Sequence, residues 1–209
     1  SPGMTLFEPA RLGPISVRNR IVMAPMCMFS CAPDGLARPF HAVHLGSRAS
    51  GGVGLVIAEA TAVESRGRIT EQDLGIWNDA QVPGLSELVK AVHDCGAPVI
   101  LQLAHAGRKA RVSDETPVAP SALAYSSDYP VPGALDEAGV REVISAFVRA
   151  AERAREAGFD GVEVHGAHGY LINAFLSPLS NRRTDAWGGD AAGRSRILGE
   201  IVTGVRAVI

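Results

Sequence analysis

Four times along this 209-residue chain a short β-rich apolar run gives way to an amphipathic stretch, and no other feature of the sequence restricts the fold as much. Such alternation is the signature of βα units wound around a parallel sheet. The runs lie at 21–24 (IVMA), 54–58 (GLVIA), 98–103 (PVILQL) and 161–165 (GVEVH). They are almost continuously apolar, as strands covered on both faces should be. Two of the intervening stretches show clear three- and four-residue spacing: Leu85, Leu88, Val89, Val92 and Cys95, then Val140, Val143, Ile144, Phe147, Val148 and Ala151. This spacing predicts helices with one apolar face. Gly96 and Gly158 follow them in the position of glycine C-caps. A weaker helix is expected over 39–50, and Ile197, Leu198, Ile201, Val202 and Val205 mark a last one that runs to the end of the chain.

Repeated βα units build either an open doubly wound sheet or a closed (β/α)₈ barrel, and the pattern by itself fits both. Only four units fit into the length because long loops intervene, notably about 30 residues over 106–138. Loops of that size after strands usually carry function. The expectation is an α/β chain supplying about the first half of a (β/α)₈ TIM barrel, with the second half absent from this sequence. No linker or internal repeat marks a second domain, so 4–209 reads as the N-terminal part of one domain. Ser1, Pro2 and Gly3, ahead of Met4, read as a remnant of cloning.

Composition narrows the function. With 46% hydrophobic residues the chain can bury a large core, and 20 Lys+Arg against 22 Asp+Glu leave a net charge of −2 with no basic block. Nucleic acid and anionic membranes are therefore poor partners. The longest charge-free stretch, 21–33, has 13 residues and contains Pro25, against roughly 20 needed to span a bilayer. The N-terminus has no secretory pattern. Three cysteines and no glycosylation sequon point to a reducing, cytoplasmic location.

Three strand ends carry residues capable of chemistry. The run 162–171 (VEVHGAHGYL) places His165, His168 and Tyr170 beyond one strand, where parallel α/β folds put their active sites. As a metal site, H-x-x-H lacks a third ligand at familiar spacing. As structure, the three side chains could simply satisfy loop backbone groups. As a substrate site, two N–H donors could hold a carbonyl oxygen while the phenol delivers a proton, which suits reduction of a polarised double bond. At the end of the first run stand Ala24, Pro25, Met26, Cys27, Met28 and Phe29; Cys27 reads either as a small core residue or as a group facing a ligand. At the end of the third, Gln102 offers a donor and an acceptor to a heterocycle edge, with Arg108 and Lys109 adding positive charge. The glycines of 51–54 precede a strand and so read as a turn rather than a dinucleotide loop.

Several longer runs then stand in order: NRIVMAPMCM (19–28), GRITEQDLGIW (67–77), QLAHAGRKA (102–110), HGAHGYLINAFLSPLSNRRTD (165–185) and WGG (187–189). Together they resemble the old yellow enzyme family, most of all its bacterial, thermophilic-type branch with an active-site cysteine. The resemblance implies a flavin-bearing (β/α)₈ barrel in which FMN takes hydride from NADPH or NADH and passes it to the β-carbon of an α,β-unsaturated carbonyl compound. By motif, Ala24, Pro25, Met26, Cys27, Ala60 and Gln102 would contact the flavin, Cys27 tuning its potential. His165 and His168 would bind the substrate carbonyl, Tyr170 would protonate the α-carbon, and Phe29 and Lys109 would border the substrate. Phe29 stands where the branch usually has a tyrosine, so one hydrogen bond to substrate would be missing. The family's flavin-phosphate loops fall in the second half of the barrel, beyond Ile209. The expected partners are a small activated alkene and further copies in a homo-oligomer, with no metal. Two other readings are a metal-dependent barrel hydrolase built on the histidines and a non-catalytic half-barrel needing a partner.

Overall fold

Each apolar run becomes a strand, and the four lie side by side in chain order. The computed structural model, which describes residues 5–209, begins with an antiparallel hairpin of β1 (Ala10–Leu12) and β2 (Ile15–Val17). Then come β3 (Val22–Met23), helix α1 (Pro39–Ser50), β4 (Leu55–Ala62), α2 (Val82–Asp94) and β5 (Val99–Ala104). The long connection carries a small parallel pair, β6 (Val118–Ala119) and β7 (Gly133–Ala134), before α3 (Glu137–Ala157), β8 (Gly161–Val164), α4 (Leu171–Leu176) and α5 (Ala191–Val208). Residues 1–3, read above as a cloning remnant, lie outside the described residues.

The sheet order β3-β4-β5-β8, with every neighbouring pair parallel, decides between the two topologies. Each strand is laid beside its predecessor with no reversal of order, whereas a doubly wound sheet reverses at its switch point. This is the path of the first half of a (β/α)₈ barrel.

Local chemistry sets the ends of the elements. Asp136 caps α3 by accepting the Gly139 N–H at 2.7 Å, and Gly158 closes it at φ +96°, a left-handed conformation that glycine adopts without penalty. Asp190 caps α5 in the same way through Gly193, at 2.8 Å. Leu85, Leu88, Val89 and Val92 of α2 and Val140, Val143 and Phe147 of α3 are buried against the sheet, with Trp187 and Phe175 filling the space beside α4 and α5. A second, smaller cluster joins Ile15 and Val17 of the hairpin to Leu55, Ile57 and Ile100 on the other face of the sheet.

The starts of the strands are tied together. Arg18 donates from Nε to the Val53 carbonyl at 3.0 Å and from its terminal nitrogens to Ala49 and Cys95. Asn19 donates to the Gly52 carbonyl at 2.7 Å. The Asp160 carboxylate accepts both the Val99 N–H and His93 Nε2, each at 2.8 Å.

All four strands differ from the sequence reading, the third only by a one-residue shift to Val99–Ala104. The first run keeps only two of its four residues as strand, because Pro25 has no N–H to extend the ladder. The second continues to Ala62 through a register shift between Ala58 and Thr61. The fourth stops at Val164, leaving His165 just past its end.

Candidate functional site

The C-terminal ends of β3, β4, β5 and β8 converge on a cavity of about 190 Å³ lined by Pro25, Cys27, Ala60, Ile69, Gln102, His165, His168 and Tyr170. Larger hollows exist, about 710 Å³ beside α5 and about 570 Å³ between α1 and α2, but neither gathers histidine, cysteine or tyrosine. Among the described residues no group of three or more His, Cys, Asp or Glu could hold a metal ion.

The loop after β8 is bent to bring its aromatic groups together. His168 and Gly169 both adopt left-handed backbone, at φ +59° and +74°, which is unfavourable for a histidine and is held by its neighbours. Lys109 Nζ donates to the His168 carbonyl at 3.0 Å, and the Gly169 N–H donates to Asn173 Oδ1 at 2.8 Å. The resulting turn sets the His165 ring centre 5.1 Å from both the His168 and Tyr170 rings, each edge to face.

Protonation follows from surroundings. The Ala167 N–H donates to His165 Nδ1 at 3.2 Å, so the neutral ring carries its proton on Nε2 and presents a donor. Burial, helped by neighbouring His168, lowers the His165 pKa below its ordinary value and keeps the ring neutral at pH 7. Burial, together with Cys27 and Asp73 nearby, pushes the Tyr170 phenol up to about 12, so it retains its proton. The Cys27 thiol also rises to about 12, first from burial and then from Asp73 and Glu59, and stays a thiol.

Gln102 is oriented by donating to Glu163 Oε1 at 2.6 Å. Glu59 braces the first strand end by accepting the Met28 N–H at 3.2 Å. Asp73 accepts the Ile69 N–H at 2.5 Å and both the backbone N–H and the hydroxyl of Thr70 at 3.2 Å. It thereby fixes the wall that Ile69 contributes.

Seven of the residues singled out in the sequence thus share one cavity. Four do not line it: Ala24, Met26 and Phe29 are exposed, and Lys109 stands at its edge against His168. Ile69, Glu59 and Asp73 escaped the sequence reading. A charged residue inside the apolar run LVIAEATA was the available signal for Glu59, whereas Ile69 and Asp73 sit in a loop whose course no periodicity reveals.

Fold and site together define an α/β barrel-type protein with a candidate redox site at the carboxyl ends of its strands. The family model described as NADH:flavin oxidoreductase / NADH oxidase matches residues 5–209, and the chain belongs to that family. It is 53% identical over 204 residues to the NADPH dehydrogenases of Geobacillus sp. (strain WCH70) and Listeria welshimeri, covering 97% of this chain and 60% of each relative. The chain therefore spans about 60% of the length of these curated relatives. Among solved structures it is similar to an old yellow enzyme homologue from Zymomonas mobilis, with TM-score 0.92 and 36% identity, covering 99% of this chain and 61% of that one. It is likewise similar to morphinone reductase, with TM-score 0.90 and 37% identity over 97% and 59%. No helix among the described residues is long and apolar enough to cross a membrane.

Proposed function

We propose that this chain is the site-bearing part of an FMN-dependent NAD(P)H ene-reductase acting on α,β-unsaturated carbonyl compounds. The observation that carries the reading is the single cavity in which a thiol, an amide, two imidazoles and a phenol meet at parallel strand ends. The relatives named NADPH dehydrogenase support the donor.

The residues fit a flavin ring. Pro25 and Ala60 leave a flat wall of small side chains, and Gln102, oriented by Glu163, offers an amide to the polar edge of the ring. Cys27, kept as a neutral thiol, would lie against the same ring. No Lys or Arg lines the cavity to take the phosphate end. FMN held there would supply the redox chemistry, the transfer of hydride between a nicotinamide donor and the alkene β-carbon.

The chain's own residues do the rest. Neutral His165, with its proton on Nε2, and His168 hold the carbonyl oxygen. Charge builds on that oxygen as hydride adds, so donors already in place stabilise the transition state more than the ground state. Tyr170, protonated at every physiological pH, gives its proton to the α-carbon. Phe29 provides no hydroxyl, so the oxygen is held by the imidazoles alone.

The test is a visible spectrum and stopped-flow kinetics on protein of the relatives' full length. Flavin absorption and reduction of cyclohexenone by NADPH are expected. Tyr170→Phe should slow alkene reduction on the order of 10²-fold while leaving flavin reduction by NADPH unchanged. Equal loss in both half-reactions contradicts the proton-donor assignment, and colourless protein contradicts the reading as a whole.

A further inference from the structure

Alternating cations and aromatic rings form a continuous rim from one wall of the cavity to another. The Lys109 ammonium lies 5.0 Å from the Tyr170 ring centre and 4.4 Å from that of Tyr125. Tyr125 meets Tyr129 edge to face at 5.2 Å, and the Arg111 guanidinium lies 4.3 Å over Tyr129. The Arg111 backbone N–H donates to the Ile69 carbonyl at 3.0 Å, which returns the path to the cavity. Arg108 covers Tyr125 at 5.5 Å, and its buried Nε has no hydrogen-bond partner.

The cations of this rim are not ion-paired. Among the described residues Arg66, Arg68, Arg153 and Arg183 each hold a carboxylate, whereas Arg108, Lys109 and Arg111 hold none. Glu71, close by in the fold, accepts from the backbone and hydroxyl of Ser113, which keep it ionised, and makes no ion pair with the rim cations. Guanidinium and ammonium groups free of carboxylates suit phosphate, and tyrosine faces suit a nucleobase.

We propose that this rim binds the phosphorylated adenosine end of a nucleotide, the cations taking phosphate and the tyrosines taking the base. The proposed function enters only in saying which nucleotide arrives: a molecule with its reactive part in the cavity must run its anionic end out across an edge, and this edge is positive and aromatic. Phosphorylated adenosine could arrive on a 2′-phosphorylated nicotinamide donor or on a 3′-phosphorylated acyl thioester substrate. The same rim chemistry serves both.

Isothermal titration of protein of the relatives' full length with adenosine 2′,5′-bisphosphate, adenosine 3′,5′-bisphosphate and AMP tests this by a readout other than turnover. Binding of at least one bisphosphate is expected to weaken up to about fivefold with Arg111→Gln, the factor set by a single exposed ion pair. Raising the salt concentration should weaken it further, and Tyr125→Ala should weaken it where Tyr125→Phe does not. Preference for the 2′ isomer names the hydride donor as the source, and preference for the 3′ isomer names the acyl thioester. Absence of bisphosphate binding at millimolar concentration, or affinity unchanged in Arg111→Gln and Tyr125→Ala, overturns the proposal. Colourless full-length protein with intact bisphosphate binding would remove the ene-reductase reading and leave the rim. Full-length Arg111→Gln that reduces cyclohexenone with an unchanged KM for NADPH and NADH, together with unchanged bisphosphate affinity, would do the reverse.

Discussion

Replacing Glu59 by glutamine should make the protein more stable, by an amount that grows as pH rises from 4.5 to about 7 and is constant above it. Glu59 is 6% exposed in β4, and burial pushes its carboxyl from 4.5 up to about 7. His41 Nε2 lies 3.5 Å from one carboxylate oxygen, but burial lowers the His41 pKa as well, so the imidazole meets Glu59 neutral rather than as a cation. The folded chain therefore keeps a proton that the unfolded chain releases between pH 4.5 and about 7. The stability tied to this proton is complete below pH 4.5 and is lost as pH rises through 7. Across that span it amounts to about 3 kcal/mol, at about 1.4 kcal/mol per pH unit. Glutamine is neutral throughout and its amide oxygen can still accept the Met28 N–H. Glu59→Gln should accordingly match the parent near pH 4.5 and exceed it by up to about 3 kcal/mol above pH 8, or roughly 6–12 °C in Tm for a domain of this size. Asp73, itself raised to about 6 by burial, also repels the Glu59 carboxylate, so relief of that repulsion is part of the expected difference. Thermal melts followed by circular dichroism from pH 4.5 to 8.5 give the comparison. A Tm difference that stays constant with pH, or a variant that loses stability on the alkaline side, refutes the reasoning.

Other outcomes follow from packing and protonation. A Cβ on Gly54 would stand 2.2 Å from the Asn19 carbonyl oxygen, so Gly54→Ala should lower stability by about 1–3 kcal/mol, measured by urea unfolding; an unchanged midpoint contradicts the close approach. Trp187 is fully buried with its indole N–H on Glu137, so Trp187→Phe should cost about 1–2 kcal/mol, read from the same transition. With its thiol pushed from 9 to about 12, Cys27 should hold about 10³-fold less thiolate than a free cysteine at pH 8. Mass spectrometry after brief iodoacetamide treatment should find it unlabelled while denatured protein labels fully, and fast labelling in the native state would contradict its burial.

The barrel path was legible because covered parallel strands must be apolar along their length: the runs containing Val22, Val56, Val99 and Val162 could be strands before anything else was known. What the runs could not reveal was their order in the sheet, since pairing partners depend on the crossovers rather than on any one segment. The hairpin at Ala10–Val17 was missed because its two three-residue strands are too short to show alternation. Helix α4 was missed for the same reason, at six residues. Within the site, His165, His168 and Tyr170 stood out through close spacing of side chains able to do chemistry. Ile69 and Asp73 did not, because their contribution comes from a loop fixed by carboxylate-to-backbone bonds. Glu59 was missed because the apolar run was ended at Ala58, one residue before it, whereas the strand continues to Ala62.

The two ends of the sheet answer to different demands. Arg18, Asn19 and Asp160 lace the strand starts together far from any side chain with a chemical task, while at the opposite end, around Cys27, Gln102 and His165, each segment is braced by another: Glu59 holds Met28, Glu163 holds Gln102 and Lys109 holds the His168 carbonyl. A laboratory seeking a sturdier scaffold can therefore concentrate its changes around the laced end without disturbing selectivity. One seeking new substrates has to vary neighbouring segments of the other end together, because each is tied to the next.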